Sequence, residues 1–198
     1  MKYFLLKTDS IYTTSPNIIN WYGKIDKRNI HPQSAYKLPK RELFFIRDNP
    51  NTIFTDIISD PFFLVSDIVK DVICMYEKGV IYKEVILLDP KYEKCKRYFL
   101  PILPEVECLS KSSRLNLDRS FIHQAVFLQS KIEGHAIFKI AGINSDSYIA
   151  GNLEVVESIL KRGTVGVGLV EVEIEAEEGE SADDRCREGT RTNKIKRF

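Results

Sequence analysis

The chain has 198 residues, 43% hydrophobic and 29% charged, a composition that can bury a core and that excludes disordered and fibrous classes. With 29 Lys and Arg against 28 Asp and Glu, the net charge of +1 sets up no global field to gather nucleic acid or an anionic membrane, so neither is an expected partner. Four cysteines without a CxxC pair or a histidine at zinc spacing, and an opening stretch with too short an apolar run for a signal peptide, lead us to expect a reduced cytoplasmic protein without metal, cofactor or membrane span.

Tyr3 to Leu6 is a short apolar run suited to a buried strand. Ile11 to Pro39 is polar, aromatic and broken by Pro16, Gly23, Pro32 and Pro39, so it is expected to be mostly loop. Glu42 to Arg47, ELFFIR, reads as a strand, and DNPNT after it has turn chemistry. We therefore divide the chain into an N-terminal strand and loop region over 1–50, a main α+β region over 51–175 belonging to the same domain, and a charged tail over 176–198.

The next stretch, PFFLVSDIVKDVICMYEKGVIYKEVILLD from Pro61 to Asp89, parses from its ends inward. Phe62 to Val65 is an apolar strand, Ser66 or Asp67 offers an oxygen to the orphan amides of a helix start, and Gly79 suits the left-handed turn after the helix. Ile68, Val72, Met75 and Tyr76 recur at spacings of three and four, which predicts the buried face, with Val69 and Ile73 beside it. Val80 to Leu88 resumes as a strand.

The same order returns in SYIAGNLEVVESILKRGTVGVGLVEVEIE, Ser147 to Glu175: strand end, Asn152 as cap, a helix face of Leu153, Val156, Ile159 and Leu160, Gly163 as stop, then a strand from Val165. Units of this kind also recur in proteins that simply mix helix and sheet. Between the copies, Arg97 to Ile102, Val106 to Leu109, Ala125 to Leu128 and Ala136 to Ile140 are strand candidates, and Asp118 to His123 is expected to form a helical turn. Beyond Ile174, acidic and then basic residues crowd a stretch with few large apolar side chains, so that tail is expected to be mobile.

No catalytic signature stands out. His31, His123 and His135 are isolated; His135, close to Glu133, is the best candidate for a general base, and its alternative is a strand-end histidine bonded to backbone or water. The glycines of GTVGVG follow a helix and enter a strand, the reverse of a dinucleotide loop. KYEKCKRYF, Lys91 to Phe99, mixes cations with aromatics as single-strand binders do, and a solvated turn accounts for it equally well. Trp21, Tyr22, Arg28 and Tyr36 are residue types that dominate interface energetics, set in a segment too rich in turn formers for regular core. They form our candidate docking surface, with Trp21 and Tyr22 packing under the loop as the alternative. Asp56 and Asp60 are added as acidic complements to a basic partner, or else serve the turn before Pro61.

The order FFLVSDIVKDVI, YFLPILPEVECLS, LDRSFI, HAIFKIAG and YIAGNLEVVESILKRGTVGVGLVEV resembles bacterial immunity proteins of the polymorphic-toxin systems, over roughly residues 40 to 174. The resemblance implies a small cytoplasmic protein that binds and neutralises a cognate toxin, often encoded next to it, with no catalytic residues to carry over. A small enzyme or ligand-binding domain with a site near His135 is the alternative. The expected fold is α+β: a mixed, mainly antiparallel sheet with two principal helices in a repeated strand-helix-strand unit.

Overall fold

The computed structural model describes residues 1–145 and 147–176, so the charged tail expected over 176–198 lies, apart from Ala176, outside the described residues. In chain order they form β1 (Tyr3–Thr8), β2 (Arg41–Phe45), β3 (Ile57–Ile58), β4 (Leu64–Val65), α1 (Asp67–Tyr76), β5 (Ile81–Asp89), β6 (Lys94–Ile102) and β7 (Glu105–Val106). There follow β8 (Arg114–Leu115), β9 (Ile122–Gln124), β10 (Val126–Leu128), the single-turn α2 (Gln129–Ile132), β11 (Ile137–Ile140), β12 (Ile149–Asn152), α3 (Leu153–Leu160) and β13 (Val167–Glu175). The class is α+β with mostly antiparallel pairing, and no described helix is long and apolar enough to cross a membrane. The strands divide between two sheets: one of five in the order β2-β5-β6-β4-β3, and one of six in the order β10-β13-β1-β12-β11-β7. β8 and β9 pair apart.

The two sheets repeat one arrangement. In the first, β2 is parallel to β5, and β5, β6, β4 and β3 then alternate in direction. In the second, β10, β13, β1, β12 and β11 take the same directions in the same order. α1 connects β4 to β5 and α3 connects β12 to β13, each crossing between parallel strands that flank one antiparallel strand, a split βαβ unit. That middle strand is β6 in the first unit; in the second it is β1, from the other end of the chain.

The register matches the units residue by residue. Val65 pairs with Phe99, which pairs with Glu84; Gly151 pairs with Phe4, which pairs with Glu171. Tyr3-Phe4-Leu5 thus stands where Tyr98-Phe99-Leu100 stands. Both tyrosines are buried, and both hydroxyls donate to the carbonyl two residues before the next strand but one, Tyr98 to Thr55 at 2.6 Å and Tyr3 to His135 at 2.7 Å. The carbonyls of Asp56 and Ala136, next along, accept from the cap amides of Ser66 and Asn152 at 2.9 and 2.8 Å. Gly79 and Gly166 precede the returning strands with φ of +91° and +72°, and a Cβ on Gly166 would lie 2.2 Å from Thr55 Cγ2. Gly166, and not Gly163, is therefore the counterpart of Gly79.

Both helices lie in the core between the sheets and touch, with Tyr76 Oη 2.6 Å from Ser158 Oγ. α1 buries Val69, Val72 and Ile73, and α3 buries Val155, Val156 and Ile159. The expected faces were rotated: Ile68 and Met75 are 40% and 59% exposed, and Leu153 and Leu160 are also on the surface. Each helix packs against the other as well as against strands, which turns the buried stripe toward the shared contact. The unit is built twice because each copy buries its helix against the other.

Two further cores lie outside this pair. Ile18, Ile25, Ile30, Ala35 and Leu38, from the loop over 11–39, cover the far face of the five-stranded sheet. Residues of β7 to α2 cover the far face of the other sheet. Within that cover, the turn expected to be helical is closed by Asp118 Oδ1, which accepts from the Ser120 amide and hydroxyl at 3.1 and 2.9 Å, and leads into β9.

Candidate partner-binding surface

The residues selected from sequence do not converge. Trp21 is half-buried, its ring edge-on to Phe62 at 6.1 Å with Lys27 Nζ 4.8 Å from the centroid, so it anchors the loop to the core. Tyr22 beside it is 89% exposed. Arg28 is exposed and clamped by Asp26, Nε and Nη2 lying 3.0 and 2.8 Å from the two carboxylate oxygens. Trp21, Tyr22 and Arg28 thus border one shallow depression, while Tyr36, also exposed, stands on the 3-10 turn Ala35–Lys37 outside it. Asp60 is exposed on a separate polar hollow with Arg47 and Asp48.

Asp56 does not belong to a docking surface. It is buried; its Oδ2 accepts from the Val165 amide at 2.7 Å and its Oδ1 lies 3.8 Å from Lys96 Nζ. A buried carboxylate must be hydrogen-bonded or paired, and this one is used up in fastening β13 and its preceding turn to the first unit.

A different surface emerges on β2, β5 and β6. Strand alternation sends Phe44, Val85, Leu87 and Tyr98 into the core under the loop over 11–39 and puts Leu43, Ile86 and Arg97 in one row, Phe45, Leu88 and Cys95 in the next, on the opposite face. α1 covers the other end of this face, where Lys70 Nζ sits 4.7 Å from the centroid of Phe99. Past α1 the face is open: Leu43 and Phe45 are 37% and 38% exposed, Ile86 and Leu88 are partly exposed, and Cys95 is exposed. Two ion pairs rim it, Arg41 with Glu84 at 2.8 Å and Arg97 with Asp67 at 2.7 Å.

The repeat tells whether the fold requires these apolar residues. Glu84 corresponds to Glu171, so Ile86 and Leu88 correspond to Glu173 and Glu175. Carboxylates on the equivalent central strand are compatible with the same architecture. Ile86 and Leu88 are therefore not dictated by folding, whereas Leu43 and Phe45 have apolar counterparts in Val126 and Leu128; an open apolar cluster with a charged rim is what a protein interface presents. Sequence reasoning missed this face because ELFF and VILLD are apolar on both faces, which reads as a strand buried on both sides.

The histidines are dispersed. The His135 ring meets Phe138 edge-on at 5.9 Å, and its backbone carbonyl holds Tyr3; no bond to Glu133 joins it. His31 Nε2 lies 3.2 Å from Glu105 Oε2, and Glu105 Oε1 lies 3.0 Å from Lys139 Nζ, a contact that ties the loop over 11–39 to β7 and β11. Cys108 is buried, and burial pushes its thiol up to about 12. Comparison of the sequence with protein-family models and with curated proteins gives no match.

Proposed function

We propose that this chain is an immunity protein, which binds a bacterial toxin one to one in the cytoplasm and neutralises it by occluding its active site or substrate groove. The observation that carries the binding function is the uncovered cluster Leu43, Phe45, Ile86 and Leu88, in which Ile86 and Leu88 stand where the repeated unit has Glu173 and Glu175. Apolar residues at the centre with Arg41 and Arg97 at the rim give a partner both a desolvated contact and a fixed register. The resemblance supports the choice of partner: FFLVSDIVKDVI supplies β4, the cap and α1, HAIFKIAG supplies β11, and YIAGNLEVVESILKRGTVGVGLVEV supplies β12, α3 and β13.

The test is co-expression with the product of the adjacent gene, followed by size-exclusion chromatography and a growth assay. A 1:1 complex with rescued growth is expected. The double substitution Ile86→Glu/Leu88→Glu, which copies the second unit, should keep the melting temperature and lose the complex. An adjacent gene without toxicity sinks the immunity assignment, and a double variant that still binds sinks the docking face.

A further inference from the structure

On the second sheet, away from that face, lies a cleft of about 450 Å³. This falls within the roughly 300–1,000 Å³ of small-molecule sites. Leu5 and Val170 form its floor; Phe121, His123 and Tyr148 line its sides, and Lys7 borders it. The walls are fixed in place: the rings of Phe121 and His123 meet edge-on at 5.0 Å, and Tyr148 Oη accepts from the Ile122 amide at 3.0 Å.

The repeat identifies what chemistry suits this volume. Leu5, Lys7 and Val170 correspond to Leu100, Ile102 and Lys83 of the first unit. There Leu100 and Ile102 are buried under Ile30, Ala35 and Leu38, and the Leu38 carbonyl accepts from Lys83 Nζ at 3.2 Å. The first unit thus fills the equivalent space with its own apolar side chains, whereas the β8–β9 cover of the second leaves it open. An apolar body belongs in such a space.

Lys7 adds a charge where the first unit has Ile102. Its ammonium is exposed and has no ion pair or hydrogen bond among the described residues. Two carboxylates also line the cleft, and each has a partner, Glu171 in an ion pair with Lys2 at 2.7 Å and Glu173 accepting from the Gln124 amide at 3.4 Å. A free cation beside an apolar floor with aromatic walls recognises one class of molecule. We infer that the cleft binds a small flat aromatic acid, its ring over Leu5 and Val170 between Phe121 and Tyr148 and its carboxylate on Lys7. This site lies on the other sheet from the toxin face, and its occupation does not depend on the immunity function.

Methyl NMR of the full chain tests it with 2-naphthoate as the probe and the neutral 2-naphthamide as its control. The Leu5 and Val170 methyl signals should shift and saturate with the acid, and the amide should bind about tenfold more weakly, the worth of one charge-assisted hydrogen bond. Lys7→Gln should bring the acid down to the affinity of the amide and leave the amide unchanged, while Val170→Trp, at an exposed position, should abolish both. Shifts that do not saturate, or an acid and amide of equal affinity in the unsubstituted protein, would overturn the assignment.

Discussion

Single side chains fix the loops to the sheets through charge and hydrogen bonding, and Asp26 is the clearest case. The Arg28 side chain, and then the Arg28 amide, hold its carboxyl below the usual 3.8. Because the folded-state value is the depressed one, the clamp contributes at neutral pH, and its contribution is lost as pH falls through that lowered value. A carboxyl-carbon titration by NMR should place the Asp26 midpoint below 3.8, and Arg28→Ala, which removes the guanidinium but keeps the backbone amide, should raise it toward the ordinary value. A midpoint at or above the ordinary value means that the clamp does not persist in solution. Asp56 shows what sequence does not reveal at this scale: an aspartate before a turn has the same appearance whether its carboxylate faces a partner or, as here, the Val165 amide. Position in the chain does not encode burial, and burial decides whether a carboxylate is available.

At the scale of elements, the two helix starts occupy equivalent places and use them differently. Asn152 Oδ1 accepts from the Val155 amide at 3.0 Å, as expected of a cap. Ser66 has the cap position without the bond: its hydroxyl is buried and makes no hydrogen bond. Asn152→Ala should therefore cost about 1 kcal/mol, and Ser66→Ala should be neutral or mildly stabilising, since it removes an unsatisfied buried polar atom. Urea unfolding measures both, and equal losses at the two positions would mean that Ser66 does cap α1. Cap and stop residues were enough to read both helices from sequence, together with most strands around them. Their buried faces were legible only in part: Val72, Val156 and Ile159 are buried as expected, but Ile68 and Met75 have the same spacing and hydropathy as residues that pack, and only the neighbouring helix decides which stripe turns inward.

The whole molecule is two units sharing a core, with β1 serving the second unit as β6 serves the first. Tyr3 to Leu6 reads as a strand, yet nothing local says that its neighbours are β12 and β13, since pairing depends on segments at the far end of the chain. The one available signal is the recurrence of Tyr-Phe-Leu at Tyr3 and Tyr98, too short to weigh until the register aligns it. If the equivalence is physical, chain order should matter less than strand placement. In the first unit a turn joins Asp89 to Lys94; in the second, Glu175 ends near the start of β1, since Tyr3 pairs with Val172. A circular permutant that joins Phe198 to Met1 and opens the chain between the exposed Ser10 and Ile11 makes β1 the next strand after β13, through a longer connection, as β6 is the next strand after β5. All pairings are retained and one loop is exchanged for another, so the loss should stay below about 2 kcal/mol. Cooperative unfolding with an unchanged far-ultraviolet circular dichroism spectrum is the expected result. A permutant without cooperative unfolding would mean that β1 must be in place before the rest can fold, and that the two middle strands are alike in geometry but not in their role in folding.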